Sequence, residues 1–312
     1  MIFNAKMGAS VVAAVVVTFN RKDLLKQCLS SLLHQTLPLK VIHVVDNAST
    51  DGTLDELLRE GWGGQRNIEI LALSENTGGA GGFTAGLAHA IKQSEWVWMM
   101  DDDASPHPNA LEELMKIATD TGTIYGSLAV HDSEPAWTTK VLSPPLGVVK
   151  QAHAVPAQAE VELIPFLGFL VHRDLVEKIG LPDKEFFIAA DDAEYCLRAR
   201  RAGAKILIAG KSQIEHPKAK SEDFRILGKN IIYLSLPPWK RYYDTRNRLL
   251  IARKYYGARL FTQAIPGSLI RFLAALLKEP NKPMQAYAFL AGFIDGLLGI
   301  KGRRHEKWRI KP

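Results

Sequence analysis

The sequence predicts an α/β protein in which a mostly parallel sheet carries helices on both faces, followed by a basic, amphipathic helical region. Three observations carry that expectation. Apolar, β-branched runs alternate with leucine-spaced helical segments from Val11 to Met100, polar clusters follow the carboxyl ends of those runs, and the composition changes after Pro237-Pro238. Alternation of this kind needs crossover connections, which make neighbouring strands parallel. Ligands of such sheets collect beyond the carboxyl ends of the strands.

Val11 to Thr18 reads as a first strand, Lys22 to Gln35 as a helix and Val41 to Val45 as a second strand. A helix over Leu54 to Glu60, a strand over Ile68 to Leu73, a helix over Phe83 to Lys92 and a strand over Trp96 to Met100 continue the alternation. Between Thr123 and Pro165 the pattern breaks into short β-like pieces around Pro135, Pro144, Pro145 and Pro156, the mark of loops and hairpins. A helix from Arg173 to Ile179, a helix from Asp192 to Ala202 and a strand from Lys205 to Ala209 follow. The composition places a boundary at residue 237, giving a binding and catalytic domain over 1–237 and a helical region over 238–312.

Charge separates the two parts. Residues 1–237 hold 23 Lys and Arg against 29 Asp and Glu, whereas residues 238–312 hold 16 against 4. A basic tail suits either nucleic acid or anionic lipid. Its cations alternate with apolar stretches such as Ala264 to Leu277 and Met284 to Ile300, which favours a lipid surface and excludes nucleic acid as the expected partner. A basic helical bundle forming a homo-oligomer interface is the alternative. The apolar run from Ala9 to Phe19 ends in Asn20-Arg21 with no small-residue cleavage site, so it reads as a buried strand, and no stretch reaches the roughly 18 uninterrupted apolar residues of a spanning helix. The two cysteines, Cys28 and Cys196, lie in predicted helices and suit a reducing compartment.

Five polar clusters carry the chemistry. Asp101-Asp102-Asp103 follows a strand directly, and residues i and i+2 at a strand end point the same way. Asp101 and Asp103 can therefore converge on one hard cation, with Asp102 turned aside; a divalent ion held by few carboxylates and completed by phosphate oxygens suits Mg²⁺ or Mn²⁺ with a nucleotide. An acidic loop capping the helix near Pro108 is the simpler reading, although three adjacent carboxylates repel by about 1 kcal/mol even when solvated.

Asp46-Asn47-Ala48-Ser49-Thr50-Asp51-Gly52 begins at another strand end; Asp46 is a candidate nucleoside contact, while Ser49, Thr50 and Asp51 read as turn and N-cap residues. Thr18-Phe19-Asn20-Arg21 sets a guanidinium within reach of a pyrophosphate or a base carbonyl. Asn76-Thr77-Gly78-Gly79-Ala80-Gly81-Gly82 leads into a helix, and its glycines let backbone N–H groups approach a ligand. Such glycines also occur in dinucleotide-binding folds, but there they follow the first strand, so the nucleotide-dependent oxidoreductase is the weaker reading, beside a plain tight turn.

Asp191-Asp192-Ala193-Glu194 opens a helix. Adjacent carboxylates push one of their number toward basicity, so one of the pair can take a proton from an acceptor hydroxyl. Ordinary N-cap acids with Arg198 as a helix-side partner are the alternative. His216, in Ile214-Glu215-His216-Pro217, suits either a metal ligand or a structural histidine.

In this order the five clusters resemble the family 2 glycosyltransferases of GT-A (Rossmann-like) fold, over residues 11 to about 216. The Gly-Gly-Ala-Gly-Gly run, the triple aspartate and the Asp-Asp-Ala-Glu run look most like bacterial galactofuranosyltransferases and related rhamnosyltransferases. The resemblance implies that Asp101 and Asp103 hold Mn²⁺ or Mg²⁺ against the diphosphate of a UDP-sugar, with His216 as a further ligand. It implies Asp192 as general base beside Asp191, and Thr18, Asn20, Arg21, Asp46, Asn76, Gly78, Gly79, Ala80, Gly81, Gly82 and Asp102 as the donor-binding set. The expected activity is inverting transfer of galactofuranose from UDP-galactofuranose to a lipid-linked glycan in cell-envelope polysaccharide (O-antigen-type) synthesis, at the cytoplasmic face of the membrane. Rhamnose from dTDP-rhamnose is the alternative donor, and a non-catalytic sugar-nucleotide-binding protein is the alternative of another class. The segment Arg241 to Arg248 is similar to one found in O-antigen and cell-wall sugar transferases ahead of their membrane-associated helices.

Overall fold

A computed structural model describes residues 11–64, 67–143, 146–218, 221–226 and 229–312. Pro144, Pro145 and the start of the Ala9 to Phe19 run lie outside the described residues. Two compact units result, one of Met1–Asn76, Gly82–Leu181 and Arg198–Lys218, the other of Thr77–Gly81, Pro182–Leu197 and Ala219–Pro312.

The elements of the first half run β1 (Val12–Thr18), α1 (Lys22–Leu33), β2 (Val41–Asp46), α2 (Thr53–Arg59), β3 (Ile68–Ala72), α3 (Gly78–Ala90), β4 (Trp96–Asp101), β5 (Ser105–Pro106), α4 (Ala110–Ile117) and β6 (Ile124–His131). Then come β7 (Glu134–Pro135), β8 (Thr139–Val141), β9 (Gly147–Val149), β10 (Ala159–Glu160), β11 (Phe169–His172), α5 (Arg173–Ile179), α6 (Asp191–Arg201) and β12 (Ile206–Glu215). The remainder is the hairpin β13 (Ser221–Ile226) and β14 (Lys229–Leu234), followed by α7 (Pro238–Tyr255), α8 (Ile265–Lys278) and α9 (Lys282–Leu298).

The main sheet has the order β10-β12-β6-β11-β4-β1-β2-β3, with β5 on β12 and β7 on β6. Strands β4, β1, β2 and β3 are parallel, as are β12 and β6, whereas β11 runs antiparallel between β4 and β6. All seven residues of β1 are buried, as a strand covered on both faces requires. Val12, Ala14 and Val16 face a core with Leu25, Leu29 and Leu32 of α1 and Leu111 and Leu114 of α4. Each such leucine contributes about 1.5–3 kcal/mol by leaving water. On the opposite face α3 lies close, because Gly82 and Gly86 approach Val17 and Val15: a Cβ built on either would sit 2.4 Å from a valine methyl.

Three secondary-structure expectations need correction. The stretch after Thr123 is not only hairpins: Ile124 to His131 is a strand inside the sheet, seven of its eight residues buried. Its small residues disguise it, since a Cβ on Gly126 would lie 2.5 Å from Ile164 and Ser127 accepts a hydrogen bond from Ser212 at 2.8 Å. The strand expected to end at Ala209 continues to Glu215 through a register shift between Ala209 and Gln213, hidden by Gly210-Lys211-Ser212. The helix expected from Phe83 begins at Gly78, so the glycine run is itself helical.

The second unit has its own cores. Phe187, Tyr242, Tyr243, Ala288 and Ala291 form one, and Ala80, Phe186, Leu250 and Ile251 another. Pro238 opens α7 where its missing N–H costs nothing. Not all of the tail's positive charge faces outward: Arg241 and Arg246 are buried. Leu260–Lys278, 19 residues of mean hydropathy 1.5, is by length and composition long and apolar enough to cross a membrane, with Arg271 interrupting its apolar sequence.

Candidate active site

The ends of β1, β2 and β4 are brought together by register. Thr18 pairs with Asp46 across β1 and β2, and Val17 pairs with Asp101 across β1 and β4. Beyond them the Thr18 hydroxyl donates to Asp102 Oδ2 at 2.7 Å. The Arg21 guanidinium donates to Asp102 Oδ1 at 3.3 Å and to Asp103 Oδ2 at 2.8 Å. Burial pushes the Asp102 carboxyl above its ordinary range, against the pull of Thr18 and Arg21. Burial acts the same way on Asp103, but His216 and Arg21 more than offset it and hold that carboxylate low.

Asp103 Oδ1 faces the imidazole instead. It lies 3.2 Å from His216 Nε2, and it is buried without a hydrogen-bond partner among the described residues. A carboxylate oxygen and an imidazole nitrogen that meet without hydrogen-bond alignment suit two ligands of one divalent cation. Asp103 and His216 suit Mn²⁺ or Mg²⁺, the carboxylate suiting both and the imidazole favouring the transition metal; among the described residues Asp101 does not join them in a cluster of three ligand atoms close enough for one ion.

Asp46 and Asn20 hold the neighbouring turns. Asp46 Oδ1 accepts from the Ser49 amide at 3.1 Å, and Asn20, left-handed at φ 55°, accepts from the Thr50 amide at 2.7 Å. Asp51 accepts from the Thr53 amide at 3.0 Å as a turn residue, while the N-cap of α2 is the left-handed Gly52, without a side-chain cap.

The acidic pair and the start of the glycine run lie in the second unit. Gly78 has φ +73°, and a Cβ there would fall 1.9 Å from the Phe187 carbonyl oxygen, which accepts from the Ala80 amide at 3.1 Å. The chain ahead of Asp191 is strained, with Phe187, Ala189 and Ala190 all at positive φ without being glycine. Such residues cost about 1–3 kcal/mol each and persist only where the surroundings hold them.

Two buried side chains of α7 do the holding. The Asn247 amide donates to the carbonyls of Phe186, Ile188 and Ala189 at 3.1, 2.9 and 2.7 Å. Arg246 donates to the carbonyls of Glu185 and Phe186 at 3.2 and 2.8 Å. Sequence reading missed both roles; the polar run Arg246-Asn247-Arg248 within a buried helix was the available signal.

Burial pushes the carboxyls of Asp191 and Asp192 upward, and the charge of Asp192 lifts Asp191 further. Arg248 draws Asp192 back down, so Asp191 is lifted further and Asp192 is the member that ionises first. Arg198, further along the same helix, donates to the carbonyls of Ile179 and Leu181 at 3.0 and 2.7 Å. Glu194, also buried, pairs with Lys254 at 2.8 Å and accepts from the Tyr255 hydroxyl.

Comparison with known proteins agrees with the fold. The family model described as glycosyl transferase family 2 matches residues 13–180. A galactofuranosyltransferase, GlfT1, from Mycobacterium tuberculosis is 33% identical over 249 residues, covering 76% of this chain and 80% of the relative. A dTDP-rhamnosyl transferase, RfbF, from Shigella flexneri is 24% identical over 298 residues, covering 94% and 97%. Among solved structures, the mannosyltransferase PcManGT from Pyrobaculum calidifontis, in complex with GDP-Man and Mn²⁺, superposes with a TM-score of 0.57 at 18% identity, covering 93% of this chain and 88% of that one. With its sheet of GT-A type and these matches over most of its length, the chain belongs to glycosyl transferase family 2 and is a glycosyltransferase.

Proposed function

We propose that the protein is an inverting, metal-dependent galactofuranosyltransferase that moves galactofuranose from UDP-galactofuranose onto a lipid-linked glycan. The observation that supports this reading most is the part-buried pair of Asp103 and His216 beside Arg21 at the strand ends, in a chain 33% identical to a named galactofuranosyltransferase. When bound, a divalent ion held by Asp101, Asp103 and His216 supplies positive charge to the departing diphosphate. Asp102 fixes Thr18 and Arg21, and with Asp46, Asn20, Asn76 and the glycine run they make up the donor-binding set. Asp192 removes the proton of the acceptor hydroxyl as that oxygen bonds to the anomeric carbon from the side opposite the nucleotide, whose bond to the sugar breaks. Configuration inverts in this one displacement, and base catalysis of this kind contributes about 10²- to 10⁴-fold.

Rhamnose from dTDP-rhamnose is the second reading, favoured by the Shigella relative's match over nearly the whole chain. The two are separated by a donor panel with Mn²⁺ and a synthetic lipid-linked acceptor, read by mass spectrometry: a galactofuranosyl product supports the first, a rhamnosyl product the second, and no glycosyl product with either donor rejects both.

Residues 238–312 are proposed to rest on the cytoplasmic face of an anionic membrane. Leu269, Leu273 and Leu277 form an exposed stripe on α8, and Tyr287, Leu290, Ile294 and Leu298 one on α9. Exposed cations such as Arg259, Lys278 and Lys282 border them, each worth about 1 kcal/mol at an anionic surface. Flotation with vesicles containing anionic lipid tests this, and a protein that stays at the bottom of the gradient contradicts it.

A further inference from the structure

A second cluster of ligating side chains lies on the other side of the first unit's chemistry, toward the β3 edge of the sheet. His43 in the middle of β2 pairs in register with Glu69 of β3. The approach of α3 through Gly82 and Gly86 carries His89, one turn further along that helix, over the same spot; the two imidazoles meet edge to face with centroids 4.9 Å apart. Glu69 Oε2 stands 3.2 Å from His43 Nδ1 and 3.2 Å from His89 Nε2. One ligand atom from each of the three lies within 4.8 Å of the others.

His43 is the informative member. It is 1% exposed, yet neither of its ring nitrogens has a hydrogen-bond partner among the described residues. A buried polar group left in that state costs about 1–3 kcal/mol, so the native arrangement implies a partner for it. Tetrahedral sites with ligands at about 2.0–2.2 Å place their donor atoms a little over 3 Å apart. The two carboxylate-to-imidazole distances match that spacing. The cluster opens into a surface cavity of about 430 Å³ lined also by Leu58, Ile68, Ile70 and Leu71, which leaves room for water as a fourth ligand.

We propose that His43, Glu69 and His89 form a binding site for a borderline divalent transition metal, zinc in the first instance, separate from the residues assigned to the sugar nucleotide. Two imidazoles and one carboxylate are a donor set for zinc rather than for magnesium or calcium. Gln93 completes the surroundings: its side-chain amide lies 3.2 Å from both Glu69 Oε2 and His89 Nε2. The bound ion ties β2, β3 and the carboxyl end of α3 together, and so acts on stability rather than on turnover.

The test is a Zn²⁺ titration of the full-length protein by calorimetry, run on the wild type, on His89→Ala and on Glu69→Gln, and repeated in a background carrying Asp101→Ala and Asp103→Ala. Outer-shell partners alone are worth about 10- to 100-fold in metal affinity, so removing a direct ligand is expected to weaken this site about 100-fold or more. One Zn²⁺ equivalent should persist in the Asp101→Ala, Asp103→Ala background and vanish when His89→Ala is added. Zn²⁺ should also raise the melting temperature of the wild type and not that of His89→Ala. His89 is half-exposed on a helix and alanine favours that conformation, and the wild type against His89→Ala alone gives the same one-equivalent difference should the double background not fold. No Zn²⁺ bound by the wild type beyond what His89→Ala binds, or equal affinity in the two, overturns the proposal.

Discussion

The side-chain amide of Asn247 donates to the Ala189 carbonyl at 2.7 Å, two residues ahead of Asp191, and in doing so fastens a strained loop to the buried helix α7. The same amide serves the carbonyls of Phe186 and Ile188. Asn247→Ala therefore leaves several buried acceptors without a donor while the left-handed residues lose their restraint. We expect a loss of about 2–3 kcal/mol in urea unfolding, with kcat falling further than donor affinity. Unchanged unfolding would show that the loop holds itself.

Gly78 and Gly79 are adjacent and predict opposite outcomes. A Cβ at Gly78 meets the Phe187 carbonyl oxygen at 1.9 Å on a left-handed backbone, whereas a Cβ at Gly79 meets nothing within 4 Å. Gly78→Ala should destabilise by about 2 kcal/mol or more. Gly79→Ala, within a helix, should be neutral or stabilising by up to about 1 kcal/mol. Thermal melts of the two variants side by side check this contrast.

Acidity links the Asp191 and Asp192 pair to both activity and stability. Burial lifts both folded-state values above the ordinary aspartate value of 3.8. The stability that such a group contributes is complete below the unfolded value and is lost as pH rises through the raised folded value. Asp191→Asn, which removes that ionisation, should raise stability on the order of 1 kcal/mol above the raised value and leave it nearly unchanged below pH 3.8. Activity runs the other way, because Asp192 must be ionised to accept a proton: kcat/KM should fall on acidification with a midpoint above the ordinary aspartate range. A pH profile flat down to the ordinary range would remove the pair from proton transfer.

Asp101→Ala combined with Asp103→Ala should abolish Mn²⁺-dependent binding of the sugar nucleotide. It should also free Arg21 from its 2.8 Å contact with Asp103. Calorimetry with UDP, with and without Mn²⁺, checks it: binding that keeps its metal dependence in the double variant contradicts the assignment.

Much of the fold was legible because its strands are continuous apolar runs. Val12 to Thr18 and Trp96 to Asp101 are buried on both faces and need no polar alternation, so their type was plain from composition. The strand Ile124–His131 was not legible, since Gly126 and Ser127 are there to admit Ile164 and Ser212 from elsewhere in the chain, and that demand leaves no local trace. The same holds for the glycine run: it reads as a loop by propensity, yet it is helical, with Phe187 against Gly78 and Val17 against Gly82 leaving no room for a side chain at those two positions. Around the candidate site, the strand-end carboxylates were visible as clusters. The contacts of Asn247, His43 and His89 were invisible, because their partners lie 20 to 61 residues away.

In the proposed reaction Asp192 takes the acceptor's proton while other residues hold the donor. Its most direct test is Asp192→Asn, with donor affinity measured by calorimetry and transfer measured under donor saturation. Donor affinity should stay within about threefold of the wild type and kcat should fall about 10³-fold or more. Turnover near the wild-type rate, or donor binding lost in step with turnover, would contradict it.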